Sequence, residues 1–505
     1  MLSITRRRFL AHGAAAGVLV MPMAPSPRRR TPADPFTLGV ASGDPLPDSV
    51  ILWTRLAPRP LDVGGGMPDR PIRVEWQVAE DEHFHRVVRS GETLARPESA
   101  HSVHVEPRGL RPASWYFYRF RVGRDISPVG RTRTAPAPGS LSSFAFAVAS
   151  CQDWQNGYFA AYQHIAREDL ELLLHLGDYI YEEPITPTGT PDTPGFARAS
   201  LPPEHLRPEA MTLDQYRLRY ALYKSDPQLQ AAHAALPWVL TWDDHEVDGN
   251  WAGETPADPD QQPPAAFRAR LAAATRAYYE HLPLRAVQPL YRRLTFGDMV
   301  EFNVTDTRRY RVPGRTMLGD QQESWLLQGL SRSRARWNVV TAQVVMAQLD
   351  LKPGPGRSLD QDKWDGFPES RRRILERAAH VRNPVVLSGD SHVNIVSDLT
   401  LDFDDPAART VATEFTGTAI ASRGTTLAEQ AVIHATMGQE MPYIRYFEGY
   451  HRGYLTCRLT PSTWTTEHRA VDTAGERGQV VSPDAAVRTN AAFVVEDGRP
   501  GAHRS

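Results

Sequence analysis

The sequence predicts an α/β body preceded by a small β-sandwich, and three observations carry that expectation. From Phe36 to Thr134 the chain runs in short alternating apolar segments separated by polar turn residues, the pattern of half-buried antiparallel strands. Thr134-Ala135-Pro136-Ala137-Pro138-Gly139-Ser140 then breaks the alternation. Beyond it, apolar runs alternate with helically spaced segments and end abruptly in polar residues, as buried parallel strands do.

Within the first region, Val50-Ile51-Leu52-Trp53, Ile72 to Val78 and Trp115 to Val122 read as sandwich strands. Leu110-Arg111-Pro112 leading into Trp115-Tyr116-Phe117-Tyr118 resembles the late-strand corner of fibronectin type III modules. The proline-rich break reads as an interdomain linker. After it, Phe144 to Ala149 is a strand ending at Ser150-Cys151, and Gly157 to Ala166 has helical spacing. Leu170 to Leu176 is a strand ending at Gly177-Asp178, and Val239 to Trp242, Trp337 to Thr341 and Pro384 to Leu387 are further strands. Pro184 to Pro208 and Pro256 to Pro264 read as long ordered loops able to wall a site. The expected division is 1–30 as a signal region, 36–134 as the sandwich, 142–475 as the catalytic domain and 476–505 as a tail.

The 57 basic and 59 acidic side chains leave a formal charge of -2, so no global field draws the chain to nucleic acid, and none is expected as a stable partner. An anionic substrate must be attracted locally. Thr5-Arg6-Arg7-Arg8-Phe9-Leu10 is a twin-arginine signature, and Gly13 to Met23 is an apolar stretch too short to span a bilayer. The expectation is export by the twin-arginine translocation machinery, to the periplasm or beyond, with cleavage near Ala24; the alternative is a basic tail. No other segment approaches the roughly 18 apolar residues of a membrane span, so none is expected in the mature chain.

Five strand tips carry candidate ligands: Cys151 with Asp153, Asp178 with Tyr181, Asp243-Asp244-His245-Glu246, Gln343, and Asp390 with His392. One Asp after a strand is usually a turn or helix cap. Caps do not require Cys, Tyr and His alongside, so the set points to a metal centre. In α/β layers ligands collect beyond the carboxyl ends of strands, so tips far apart in sequence can converge. Asp153 and Asn156 fit either a metal or a cap. Cys151 and Cys457 leave a choice between a disulfide and a Cys151 ligand.

The order and content of the tips resemble the calcineurin-like metallophosphoesterases, and within them the PhoD-type alkaline phosphatases. The motifs that carry the resemblance are Ala149-Ser150-Cys151, His175-Leu176-Gly177-Asp178-Tyr179-Ile180-Tyr181-Glu182, Trp242-Asp243-Asp244-His245-Glu246-Val247, Asp306-Thr307-Arg308, Gly319-Asp320-Gln321-Gln322 and Ser388-Gly389-Asp390-Ser391-His392-Val393. Gly39 to Pro45 and Ile51 to Arg55 match the family's opening. The resemblance implies an α/β sandwich core of two mixed β-sheets flanked by helices, and a metal-dependent phosphoric ester hydrolase of alkaline phosphatase type.

It also implies a first metal on Cys151, Asp178, Tyr181 and His392, where thiolate and phenolate together favour ferric iron (Fe3+). The second metal would share Asp178 and take Asp244 and Asp390, with Gln343 a further candidate. Asp244 stands where the superfamily usually has Asn, and Asp390 and Gln343 where it has His. That exchange of nitrogen for oxygen favours calcium (Ca2+) over zinc. A hydroxide made available by metal coordination would attack phosphorus in line. His245 would stabilise the transition state or protonate the leaving oxygen, unless it is a structural histidine bonded to a neighbouring acid. Arg308 would clamp phosphate, unless it pairs with Asp306. A phosphodiesterase or phospholipase of D type on the same site is one alternative, and a surface-binding protein with a structural metal is another.

Overall fold

Side-chain alternation along the central strands decides which two layers pack together. In Phe144–Ala149, Phe144, Phe146 and Val148 face one way and Ala147 and Ala149 the other. The first set meets Phe302, Val304, Val339, Val385 and Leu387 of a second sheet, and the second set meets helices. Phe146 stands edge-on to Phe302 at 5.1 Å and to Trp464 at 5.7 Å, filling the space between the sheets. The computed structural model describes residues 34–189, 196–285, 289–350, 352 and 354–505. The twin-arginine segment and the cleavage region near Ala24 lie outside them.

The first sheet has ten strands, ordered Arg499–Arg504, Val487–Glu496, Thr463–Val471, Arg452–Leu459, Phe144–Ala149, Leu172–His175, Pro237–Leu240, Val40–Gly43, Ile51–Arg55 and Ser102–Val105. The second has seven, ordered Arg292–Phe296, Val300–Val304, Trp337–Gln343, Pro384–Ser388, Thr410–Thr416, Asn394–Thr400 and Ile444–Glu448. Both are mixed. Phe144–Ala149, Leu172–His175 and Pro237–Leu240 run parallel in the first, and Val300–Val304, Trp337–Gln343 and Pro384–Ser388 run parallel in the second. Helices Leu213–Lys224, Pro227–Ala235 and Pro264–His281 cover the first sheet, and Gly319–Arg332 and Pro368–Ala378 cover the second.

The amino-terminal sandwich has one layer of its own, Val87–Ala95, Ile72–Ala79, Trp115–Val122 and Asp125–Ile126, with Gly130–Arg133 paired to Trp115–Val122. Its other layer is the end of the ten-stranded sheet, because Val40–Gly43 pairs in parallel with Pro237–Leu240. Val40, Leu52, Val74, Val78, Tyr118 and Phe120 fill the space between them. The Tyr116 hydroxyl accepts the Arg111 N–H at 2.8 Å, which fixes the corner noted in the sequence.

Residues 476–505, expected as a tail, instead supply two strands of the first sheet. Ala491, Phe493 and Val495 are buried on its inner face. Asp497-Gly498 turns the hairpin, with Gly498 at φ 75° and Glu496 opposite Arg499. That dipeptide between alternating runs was the signal available in the sequence.

Candidate active site

The parallel strands of both sheets deliver their tips to one place. Cys151 and Asp178 follow neighbouring strands, and their backbones are tied together: the Cys151 N–H donates to Gly177 O at 3.1 Å and the Gln152 N–H to Asp178 O at 3.1 Å. A Cβ at Gly177 (φ 115°) would sit 2.5 Å from both the N and Cβ of Asp243, so only glycine lets the Asp178 and Asp244 tips approach. Cys151, Asp178, Gln343, Asp390 and His392 all adopt left-handed backbone, at φ between 43° and 60°. Such conformations cost free energy for residues with a Cβ, and they gather at four of the five tips.

Three overlapping groups of ligand atoms result, each within 4.8 Å: Cys151, Asp178 and His392; Asp178, Asp244 and His245; Asp243, Asp244 and Asp390. Asp178 joins the first two. Tyr181 completes the first group, with its hydroxyl 3.3 Å from Asp178 Oδ2, 3.2 Å from His392 Nε2 and 2.7 Å from Ser422 Oγ. Asp178 Oδ1 and Asp244 Oδ1 are buried and accept no hydrogen bond. An unpartnered buried carboxylate oxygen is costly, and a bound cation removes that cost. The donor set fits metal ions.

The electrostatics agree. Burial, with Asp178 second, pushes the Cys151 thiol well above its ordinary value, and burial does the same to the Tyr181 phenol. Both ionise only beside a strong positive charge. Burial lowers His392 to about 3, leaving the neutral imidazole that ligation requires. Burial opposes the charged form of Asp390, but Lys363 and Arg308 outweigh it and hold the carboxyl below its ordinary value.

A cavity of about 910 Å³ opens above these groups. Asp178, Tyr181, Asp244, His245, Asp390 and His392 line it, and Cys151 lies buried beneath. Its walls include Pro184, Glu209, Ala257 and Gln261, which belong to or adjoin the two proline-rich loops. Residues 146–468 match the PhoD-like phosphatase family, and residues 22–136 match that family's N-terminal domain. The chain belongs to the PhoD-like phosphatase family. It is 44% identical over 498 residues to Alkaline phosphatase D of Bacillus subtilis (strain 168), covering 92% of this chain and 82% of that one. The solved structure of PhoD superposes with a TM-score of 0.86 at 42% identity, over 94% of this chain and 93% of that one. Purple acid phosphatase PPD1 from yellow lupin (Lupinus luteus) shares the fold at 12% identity, with a TM-score of 0.53 over 91% of this chain and 73% of its own. This PhoD-like phosphatase is therefore a phosphoester hydrolase, with groups of side chains able to hold metal ions at its strand tips.

Two residues expected at the PhoD-like site are placed elsewhere. Gln343 is fully buried and its amide holds the second sheet's tips: Nε2 donates to Thr305 O at 2.8 Å and Thr241 Oγ1 at 3.3 Å, and Oε1 accepts from the Thr307 N–H at 3.2 Å. Its Oε1 also lies 3.3 Å from Thr305 Oγ1, so both ends of the amide are engaged by the strand tips and Gln343 does not line the cavity. Arg308 is fully buried behind the acids instead of lining the cavity. It donates to Asp243 at 2.6 Å and Asp362 at 2.9 Å, and its third nitrogen lies 3.7 Å from Asp244 and 3.6 Å from Asp390. It balances the carboxylates. Asp306 accepts the backbone N–H of Arg308 and Arg309. Asp153 caps the turn Trp154–Asn156, accepting from Gln155 N at 3.1 Å and from the Asn156 amide. Cys151 and Cys457 are both free thiols, and Cys457 lies opposite Phe146, well upstream of Cys151.

Glu182, Asn250, Asp362 and Lys363 were not singled out from the sequence. Lys363 bonds Asp390 and lies 3.3 Å from Asp360, on a loop with no strand tip to mark it. Glu182 accepts from His245 Nδ1 at 2.9 Å, and the imidazole stacks on Tyr181 at 4.1 Å. Burial opposes a charged His245, but Glu182, Asp244 and Asp178 outweigh it and hold its pKa well above the ordinary value. His245→Ala is expected to lower turnover about a hundredfold with metal content intact. Glu182→Gln is expected to lower it about tenfold. Because Glu182 raises the His245 pKa, its loss should also move the alkaline limb of the pH–rate profile to lower pH. An unmoved limb would refute the pairing.

Proposed function

We propose that this chain is an exported alkaline phosphatase that hydrolyses phosphate esters at an iron–calcium site. One observation carries the reading: Cys151, Asp178, Tyr181, Asp244, Asp390 and His392 converge on the floor of one open cavity. Cys151, Asp178, Tyr181 and His392 would hold the iron, since a buried thiol and phenol give up their protons only to a strongly Lewis-acidic ion. Asp178, Asp244 and Asp390 would hold the calcium, as an all-oxygen set suits a hard cation. When bound, the cations supply positive charge and an activated water. His245, oriented by Glu182, delivers a proton to the leaving oxygen at the cavity wall. Arg308 and Lys363 favour the ionised forms of Asp244 and Asp390, and Arg308 holds Asp243 in place by a hydrogen bond. Export rests on the twin-arginine signature of Arg6 and Arg7, and replacing both by Lys should leave active enzyme inside the cell.

The deciding measurement is elemental analysis of purified protein together with release of nitrophenol from para-nitrophenyl phosphate and from its bis ester. Iron and calcium with preferential turnover of the monoester support the assignment, and preference for the bis ester supports a phosphodiesterase instead. The iron site makes its own prediction. Thiolate and phenolate on ferric iron should colour the protein; Tyr181→Phe should shift or bleach the band, and Cys151→Ser should weaken iron retention and activity together. Cys457→Ser should leave both nearly untouched, because its thiol contacts Thr466 Oγ1 at 3.6 Å inside the core. Equal damage from the two cysteine changes would overturn the ligand role of Cys151.

A further inference from the structure

A second cavity, of about 220 Å³, begins where the catalytic cavity ends. Asp360 and Lys363 line both, and Ser391, between Asp390 and His392, lines the second. Away from that mouth the lining is mainly apolar, with Val393, Ile395, Ile433, Met437, Ile444 and Phe447, and Asp350, Thr425 and Thr436 are its other polar members. Its roof is helix Leu427–Glu440, none of whose described side chains is fully buried. The roof is nevertheless pinned. Thr426 and Glu429 form a capping box, Arg477 pairs with Glu429 at 2.8 Å, and His434 Nε2 meets Phe447 O at 2.9 Å. The floor is part of the core, with Ile395 fully buried in the second sheet.

We propose that this cavity binds an apolar alkyl substituent carried by the phosphoester substrate. The inference rests on the phosphatase function proposed above. Lys363 bonds Asp390, and Ser391 Oγ lies 3.3 Å from Asp390 Oδ2, so the mouth opens beside a carboxylate of the proposed second metal site. A group esterified to phosphate at the catalytic floor and directed past Ser391 enters the apolar space. Water gains little against the Val393, Ile395, Ile433, Met437, Ile444 and Phe447 side chains, which offer it no hydrogen-bond partner. A cavity of roughly 150 Å³ accepts benzene, so this one has room for a short alkyl chain but not a long lipid tail. Flexible Met437 and Met441 let the lining adapt to the chain. An occupant held here makes the enzyme selective for esters of apolar alcohols.

The test compares n-hexyl with methyl phosphate by phosphate release, and the same alkyl pair as para-nitrophenyl diesters, using metal-replete full-length protein. Burial of several methylenes should raise kcat/KM for hexyl over methyl by at least roughly tenfold. Met437→Trp, which fills the cavity from its half-buried roof, should collapse that ratio towards one. Met437→Ala should shift the preference towards octyl. Calorimetric binding of n-hexylphosphonate against methylphosphonate provides the same ratio without turnover, and Ile433→Trp repeats the filling should Met437→Trp misfold. Methyl and hexyl esters hydrolysed alike, or a hexyl preference that survives both tryptophan variants, overturns the alkyl site and leaves the phosphatase standing. No turnover of any ester, with hexylphosphonate still favoured and displaced by Met437→Trp, removes the phosphatase function and keeps the alkyl site.

Discussion

Asp178→Asn is expected to lower phosphoester turnover by about a thousandfold and to reduce the content of both metals. Asp178 alone belongs to both the Cys151–His392 group and the Asp244–His245 group. Its Oδ1 is buried without a hydrogen bond, and its Oδ2 lies 3.3 Å from the Tyr181 hydroxyl. Asparagine keeps the size but removes the negative charge and one of the two carboxylate oxygens that the proposed metals would share, and metal charge is worth several kcal/mol to such a reaction. At about 1.4 kcal/mol per decade that corresponds to three decades of rate. Burial and Asp244 already push the metal-free Asp178 carboxyl well above its ordinary value, so the substitution should not unfold the chain. Elemental analysis and steady-state kinetics on the same preparation check it. Retention of both metals with normal turnover would exclude Asp178 as a shared ligand.

Arg308→Met is expected to cost about 3–5 kcal/mol of stability, the usual penalty for leaving buried charges without their partner. Four carboxylates, Asp243, Asp244, Asp362 and Asp390, lie within 3.7 Å of a guanidinium with no exposed surface. Arg311 also pairs with Asp362 and Lys363 with Asp390, so Arg308 is the guanidinium on which Asp243 and Asp244 depend. Metal binding should recover part of the loss, so denaturation midpoints should differ more between variant and parent in chelator than in saturating metal. A phosphate clamp predicts the reverse pattern: unchanged stability and a raised KM. That contrast separates the position found in the fold from the role expected of Arg308 in the sequence.

The chain order of the tips, the thiol and phenol among them, and the break at Thr134 to Ser140 were present in the sequence because local chemistry dictates them. An apolar run cut off by Gly-Asp or by Ser-Gly-Asp must be a buried strand that stops at polar residues, whatever surrounds it. The same locality explains the family motifs. Where side chains point across sheets, local chemistry has no purchase. Gln343 and Asp178 both end strands in left-handed backbone. Only the packing of Thr241, Thr305 and Thr307 around Gln343 turns one inward to hold the tips while the other faces the cavity. Arg308 sits near acids in sequence and in space, and the tertiary structure alone decided that it faces Asp243 and Asp362 with no exposed surface left for phosphate. Lys363 and Glu182 were invisible for a related reason: charged loop residues look alike until a distant strand tip, Asp390 or His245, is brought against them. The closing strands Val487–Glu496 and Arg499–Arg504 show the limit from the other side. Their alternation and Asp-Gly turn were legible, but their place beside Thr463–Val471 depends on a long-range pairing that no local pattern encodes.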